Sequence, residues 1–334
     1  MVAVLGSVAA ATAAAIAMTA ALLLGGCSAT PVDPATAAPP APVDGEAPLR
    51  PWRTVSGGFV APAGGAFGMP AQPFASPLAG PFVKLVAPTA LALQGNDLLI
   101  VDSGAGRIWR ADLALQTLAP IAGVPATPAT RVALGPDLSA WVLDGIARQV
   151  HRFARDGRRL QSFTAGPVAA SAAAFALVDG GSTLLVADDS LRQWLELRPV
   201  GAFAVSVRPG IDDGGLRSLD GIASQGDRVA LLDRSAGVVH LARRDGLLIG
   251  RLGEGLLKQP VTLAFDRWGR IYVHDAQDRT IKRFAPDSPM RTFTDWQLGV
   301  QLIGAFALDE RLLAVADRLT GDVVIHLIDP PEAR

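Results

Sequence analysis

Six short apolar runs, each closed by an aspartate, recur along the chain. They are Leu98-Leu99-Ile100-Val101-Asp102, Trp141-Val142-Leu143-Asp144, Leu184-Leu185-Val186-Ala187-Asp188, Val229-Ala230-Leu231-Leu232-Asp233, Ile271-Tyr272-Val273-His274-Asp275 and Leu312-Leu313-Ala314-Val315-Ala316-Asp317. Successive aspartates are 42, 44, 45, 42 and 42 residues apart. A unit of that size cannot bury its apolar faces alone and is stable only when packed between copies of itself. The better-preserved units share a layout. A first strand (Ala90 to Leu93; Val261 to Phe265) leads through a turn (Gln94 to Asp97; Asp266 to Gly269) into the aspartate-ended strand. A third strand follows (Arg107 to Arg110; Thr280 to Phe284), then a weaker fourth (Gln161 to Thr164; Met290 to Phe293). Four strands per repeat of about 40–45 residues is the period of a β-propeller blade. No intervening stretch has a helical period long enough for a βαβ crossover, so a parallel α/β fold is disfavoured.

Particular motifs sharpen this. Pro260-Val261-Thr262-Leu263-Ala264-Phe265-Asp266, then Gly269-Arg270-Ile271-Tyr272-Val273, then Asp275 with Arg279 and Ile281, resembles an NHL repeat; Val101-Asp102-Ser103-Gly104 with Arg107 and Ile108 resembles its second half. The resemblance spans residues 82–329 and implies an all-β, six-bladed β-propeller, with residues 330–334 as a tail. The sixth unit holds only three strands before the chain ends. Phe82-Val83-Lys84-Leu85-Val86 precedes the first unit without partners, and the expectation is that it supplies the missing outer strand, since an open edge invites aggregation.

Ahead of the repeats, no charged residue precedes Asp33, and Val8 to Leu24 is an Ala/Leu-rich apolar run. It ends in Leu24-Gly25-Gly26-Cys27, and Cys27 is the chain's single cysteine. This resembles a bacterial lipoprotein signal peptide, although the usual positive start is missing. The resemblance implies that residues 1–26 are removed and that Cys27 is lipidated. Ser28 after the cysteine then favours the outer membrane, facing the periplasm. The alternatives are an uncleaved anchor or a buried helix. One cysteine leaves no disulfide framework. The rest of the segment 27–51 is rich in proline and alanine and reads as an extended tether. Residues 52–81 carry Phe59, Phe67 and Phe74 among glycines and prolines, with Phe82 just beyond, a spacing that suits neither helix nor strand. This arm either lies across the domain surface or docks on a partner.

Chemistry is sparse. Lys and Arg total 30 against 31 Asp and Glu, a balance that disfavours a nucleic-acid binder. Lysine occurs only at Lys84, Lys258 and Lys282, so nearly all basic groups are guanidiniums. The repeated Asp102, Asp144, Asp188, Asp233, Asp275 and Asp317 end strands and are expected to fix the following loops by accepting backbone N–H groups, rather than to converge on a metal. Each of those loops carries an arginine: Arg107, Arg148, Arg192, Arg234, Arg279 and Arg318. These share one face of the ring and either pair locally, with Asp189, Asp278, Asp322 and the strand-end aspartates, or form a surface for an anionic ligand or glycan. His151 and His240 hold equivalent third-strand positions; with His274 and His326 they show no close metal-ligand spacing. Calcium-bearing lactonases and zinc-bearing lyases share six-bladed propellers, but the lone Asn96 sits in a turn, and Glu254 and Glu310 fall in loops. No hydrolase, Walker or zincin motif is present. No pattern in the chain therefore assigns a catalytic residue, a cofactor or a metal. The leading expectation is a non-enzymatic, membrane-tethered scaffold that binds protein components of a cell-envelope assembly. The alternatives are a propeller enzyme with a channel site, a metal-dependent lactonase, hydrolase or lyase, and a periplasmic binder of anions or glycans through the arginine-bearing face.

Overall fold

The computed structural model describes residues 49–60, 80–164, 172–198, 203–207, 215–286 and 288–328. The expected signal segment 1–26, Cys27, the part of the expected tether up to residue 48, Phe67, Phe74 and the expected tail 330–334 lie outside them. The described strands form six sheets. From the inside outwards, blade one holds Pro88–Gln94, Asp97–Asp102, Arg107–Asp112 and Thr117–Ile121, and blade two Arg131–Leu134, Ala140–Asp144, Gln149–Phe153 and Arg159–Thr164. Blade three holds Ala172–Val178, Thr183–Asp188, Gln193–Arg198 and Phe203–Val207; blade four Gly221–Gln225, Arg228–Asp233, Val238–Arg243 and Leu248–Leu252; blade five Pro260–Phe265, Ile271–Asp275, Thr280–Ala285 and Ser288–Thr294. Blade six holds Ile303–Leu308, Leu312–Asp317 and Val323–Leu327. First strands of consecutive blades touch, and that of blade six touches that of blade one, so the ring is closed around a channel.

The second strands explain why the repeat reads as an unbroken apolar run instead of an alternation. Each is covered on both faces by the neighbouring blades. Leu98 and Ile100 pack with Ala305, Leu312 and Ile325 of blade six, whereas Leu99 and Val101 pack with Ala140, Val142 and Phe153 of blade two. Each of the remaining four apolar clusters likewise joins two consecutive blades. The core is thus a wheel of six apolar seams rather than one central mass.

The closing strand differs from the expectation. Arg50–Val55 pairs antiparallel with Val323–Leu327 and is the outer strand of blade six. Phe82–Lys84 instead pairs with Gly57–Val60, which lies beside Thr117–Ile121, so both extend the outside of blade one. Pro51 made residues 50–55 look like the end of the tether. A proline is tolerated here because this is an edge strand and the register shifts between Pro51 and Arg53. Val55 is buried in the seam between blades six and one. The phenylalanine arm therefore begins as strand: Phe59 is half-buried and meets the exposed Phe82 edge-on, ring centroids 5.4 Å apart.

The alternation of strand direction gives the ring two ends. Loops from second to third strands, and connections from one blade to the next, lie at the loop face; the turns between first and second strands lie at the turn face. Arg50 pairs with Leu327, and the Ile328 N–H donates to the Arg311 carbonyl at 2.8 Å, so the chain joins and leaves the ring at the turn face.

Candidate functional site

At the loop face the six aspartates hold backbone in place. Asp144 accepts the N–H groups of Ile146 and Ala147, both at 2.9 Å, and Asp188 those of Ser190 and Leu191 at 2.9 and 3.3 Å. In the other four blades the carboxylate reaches further. Asp102 takes Val86 and Ala87, Asp233 takes Arg217 and Ser218, Asp275 takes Lys258 and Gln259, and Asp317 takes Gln301 and Leu302. Each of these pairs leads into the first strand of the same blade, so the aspartate ties the loop to the strand that lines the channel. Burial works against ionisation of Asp233, Asp275 and Asp317, but their donors outweigh it and hold all three below the ordinary carboxylate value.

All six loop arginines are exposed on this face, and they fall into two groups. Arg234 pairs with Asp220 at 3.6 Å, and Arg279 with Asp295. Among the described residues, Arg107, Arg148, Arg192 and Arg318 form no ion pair; Arg107 lies over the Trp109 ring, 5.7 Å from its centroid. The carboxylates expected to neutralise them are otherwise placed. Asp278 pairs with Lys258 and with the buried Lys282, and Asp189 accepts the Leu219 N–H at 2.7 Å.

Lys282 occupies the third-strand position that His151 and His240 hold in blades two and four. Its ammonium group is 2.7 Å from Asp275 and 2.5 Å from Asp278. His151 bonds Ser162 at 2.8 Å, His240 stands 3.7 Å from Asp233, and His326 bonds the Leu298 carbonyl at 3.0 Å. The structure thus brings three of the four histidines into local contacts within their own blade or seam.

The channel adds residues that the repeat pattern did not single out. A cavity of about 410 Å³ is lined by first strands from all six blades, largely by alanine, leucine and glycine. Arg131, Asp220, Arg234 and His274 are its charged or titratable lining. The Asp220 carboxylate is committed to Arg234 and to the Ser218 hydroxyl, at 2.6 Å. Arg131 donates only to the Pro128 and Thr130 carbonyls, at 2.6 and 3.0 Å, with no carboxylate partner among the described residues. Burial, reinforced by the charge of Arg234, pulls the Arg131 guanidinium below its ordinary pKa. On blade five, across the ring from blade two, His274 is 4% exposed and its Nδ1 has no partner. Burial lowers its pKa to about 4 against the opposing pull of Asp275, so it is neutral at pH 7. The mouth therefore carries two guanidiniums, one carboxylate and one neutral imidazole. One sequence signal marked the place: Arg131 is the only charged residue in the six innermost strands.

Among the described residues the donor set of a calcium lactonase has no counterpart. Asn96 is exposed in a blade-one turn, Glu254 is exposed, and Glu310 is exposed at the turn face. Among the described residues no group of three or more His, Cys, Asp or Glu is placed to hold a metal.

No protein family matches the chain, and no curated protein matches it in sequence. Solved structures match in fold. Virginiamycin B lyase from Staphylococcus aureus superposes with a TM-score of 0.55 at 10% identity, covering 73% of this chain and 96% of that one. A catalytically inactive histidine-to-alanine form of that lyase with quinupristin gives 0.53 at 8%, covering 73% and 96%. The β-propeller domain of Myceliophthora thermophila Cps50 (Swd1) gives 0.54 at 14%, covering 74% and 98%. The chain is a six-bladed β-propeller, an architecture shared by enzymes and by non-catalytic proteins alike.

Proposed function

We propose that the protein binds a small anionic molecule at the loop-face mouth of its channel and acts on it as a propeller enzyme of the lyase or hydrolase kind. The observation that carries this is Arg131: a desolvated guanidinium in a cavity, answered by carbonyls alone. A carboxylate or phosphate group would supply the charge and the paired acceptors it lacks. The cavity lies in the size range of small-molecule sites, roughly 300–1,000 Å³. His274, neutral and unpaired at Nδ1, is the group in it able to accept a proton. The fold likeness to a lyase whose inactive form lacks a histidine supports the same reading. Titration calorimetry with phosphate and gluconate tests it. Arg131→Ala is expected to weaken binding by about tenfold or more, while Arg107→Ala leaves it unchanged. The His274 titration, followed by NMR, should move up from about 4 when the anion is bound. Equal affinity in Arg131→Ala would refute the assignment.

A second reading is favoured by the exposed Ile146, Leu191 and Leu319 on the loop face. In it the propeller is an outer-membrane lipoprotein, anchored through Cys27 and facing the periplasm, whose loop face engages an envelope protein.

A further inference from the structure

We infer that the loop face of blades six, one, two and three is a docking surface for an acidic protein segment that also carries apolar side chains. The inference rests on the second reading, that this face engages a partner, and gives that partner a chemistry.

These four blades are consecutive in the ring. Each presents one exposed aliphatic side chain on this face: Leu319 at 63%, Val86 at 53%, Ile146 at 70% and Leu191 at 47%. Each also presents one exposed arginine outside any ion pair among the described residues: Arg318, Arg107, Arg148 and Arg192. Among the described residues, Asp189 and Asp322 are the loop carboxylates beside these guanidiniums, and neither is paired with them. Blades four and five differ. They also expose apolar side chains, Leu256 and Trp296, but Asp220, Asp295 and Asp278 neutralise Arg234, Arg279 and Lys258. Among the six arginines that follow the strand-end aspartates, those outside ion pairs thus lie on one arc of the ring, beside aliphatic groups that water solvates poorly; Arg217, exposed on blade four, is a further arginine outside any ion pair among the described residues.

Backbone conformation gives a second, independent sign. Four residues after each strand-end aspartate the chain turns with positive φ in all six blades. Gly106, Gly237 and Gly321 take that position at φ 65, 66 and 81° in blades one, four and six. Blades two, three and five place Arg148, Arg192 and Arg279 there, at φ 56, 50 and 57°. Glycine adopts this conformation without the steric cost that a side chain meets. Arg279 is ion-paired, but Arg148 and Arg192 hold a strained conformation with no ion pair to offset it. Strain of this kind persists where a side chain serves something beyond the fold.

The partner class follows from these groups. Guanidiniums present planar forks that match carboxylates, and arginine with aliphatic anchors is the composition of protein interfaces. Arg50, where the chain joins the ring, lies at the opposite face, so the arc is clear of that junction.

Fluorescence anisotropy with a labelled peptide of Glu and Leu tests the inference. An uncharged Ser/Leu peptide, an all-Glu peptide of matched charge and phosphatidylglycerol vesicles serve as comparisons. The Glu/Leu peptide is expected to bind saturably and to weaken with salt. Arg148→Gly with Arg192→Gly should reduce its affinity by about tenfold or more while Tm stays the same or rises, because glycine relieves the strain. Ile146→Ser with Leu319→Ser should weaken it likewise. Unchanged affinity in the Arg148→Gly, Arg192→Gly protein would overturn both the inference and the docking-face reading. Equally tight Ser/Leu binding would overturn only the acidic class, and equally tight all-Glu binding only the apolar requirement. Tighter binding to vesicles would replace the protein partner by a membrane.

Discussion

At the scale of single residues, the strand-end aspartates link stability to pH. Asp233, Asp275 and Asp317 have folded pKa values below the ordinary one, so their contribution is complete above the unfolded pKa, about 4, and is lost as pH falls through the folded values. Asp317→Asn should cost about 1–3 kcal/mol at pH 7. Its stability should also fall less between pH 5 and pH 2 than that of the unmodified protein, as denaturant titration at several pH values would show. His274 acts in a different window. It titrates near its ordinary 6.5 in the unfolded chain and near 4 in the folded one. Between those values the unfolded state binds the extra proton, so stability rises with pH, and His274→Phe should flatten that slope. The aspartates were legible in the sequence because a repeated residue with a local task shows as a period. Arg131 and His274 were not singled out. The first breaks a pattern only once, and the second sits inside an apolar run that reads as core. Their meeting in one cavity depends on ring geometry that spacing does not encode.

At the scale of an element, the latch is the segment Arg50–Val55. A chain beginning at Leu49 should fold cooperatively. One beginning at Phe82 should leave the Val323–Leu327 edge open and aggregate on refolding, which light scattering would report. The opposite outcome, equal behaviour of the two chains, would remove the latch from residues 50–55. Val55→Asp should be destabilising for the same reason, because it puts a charge into the seam between blades six and one. The need for a latch was readable from the three-stranded last unit, but its identity was not. Phe82 to Val86 has the stronger strand composition, yet strand composition reports a pleated, half-buried setting and not which edge is available. Arg50–Val55 was hidden by Pro51, whose missing N–H costs nothing on an outer edge.

For the whole molecule, six seams share the burial that a single core would concentrate. Removing one side chain from the heart of a seam, as in Leu99→Ala, should cost about 2–5 kcal/mol, measurable by chemical denaturation. The fold class was legible because each second strand is buried on both faces and the period repeats six times. The proposed function was less so, since it is argued from departures from the repeat: loop arginines outside ion pairs and one guanidinium in the channel wall. The most direct measurement of the central claim is anomalous scattering from crystals soaked in selenate. A selenium peak in the channel within hydrogen-bonding distance of the Arg131 guanidinium, absent from Arg131→Ala crystals, is the result expected. Peaks at surface arginines with none in the channel would contradict it.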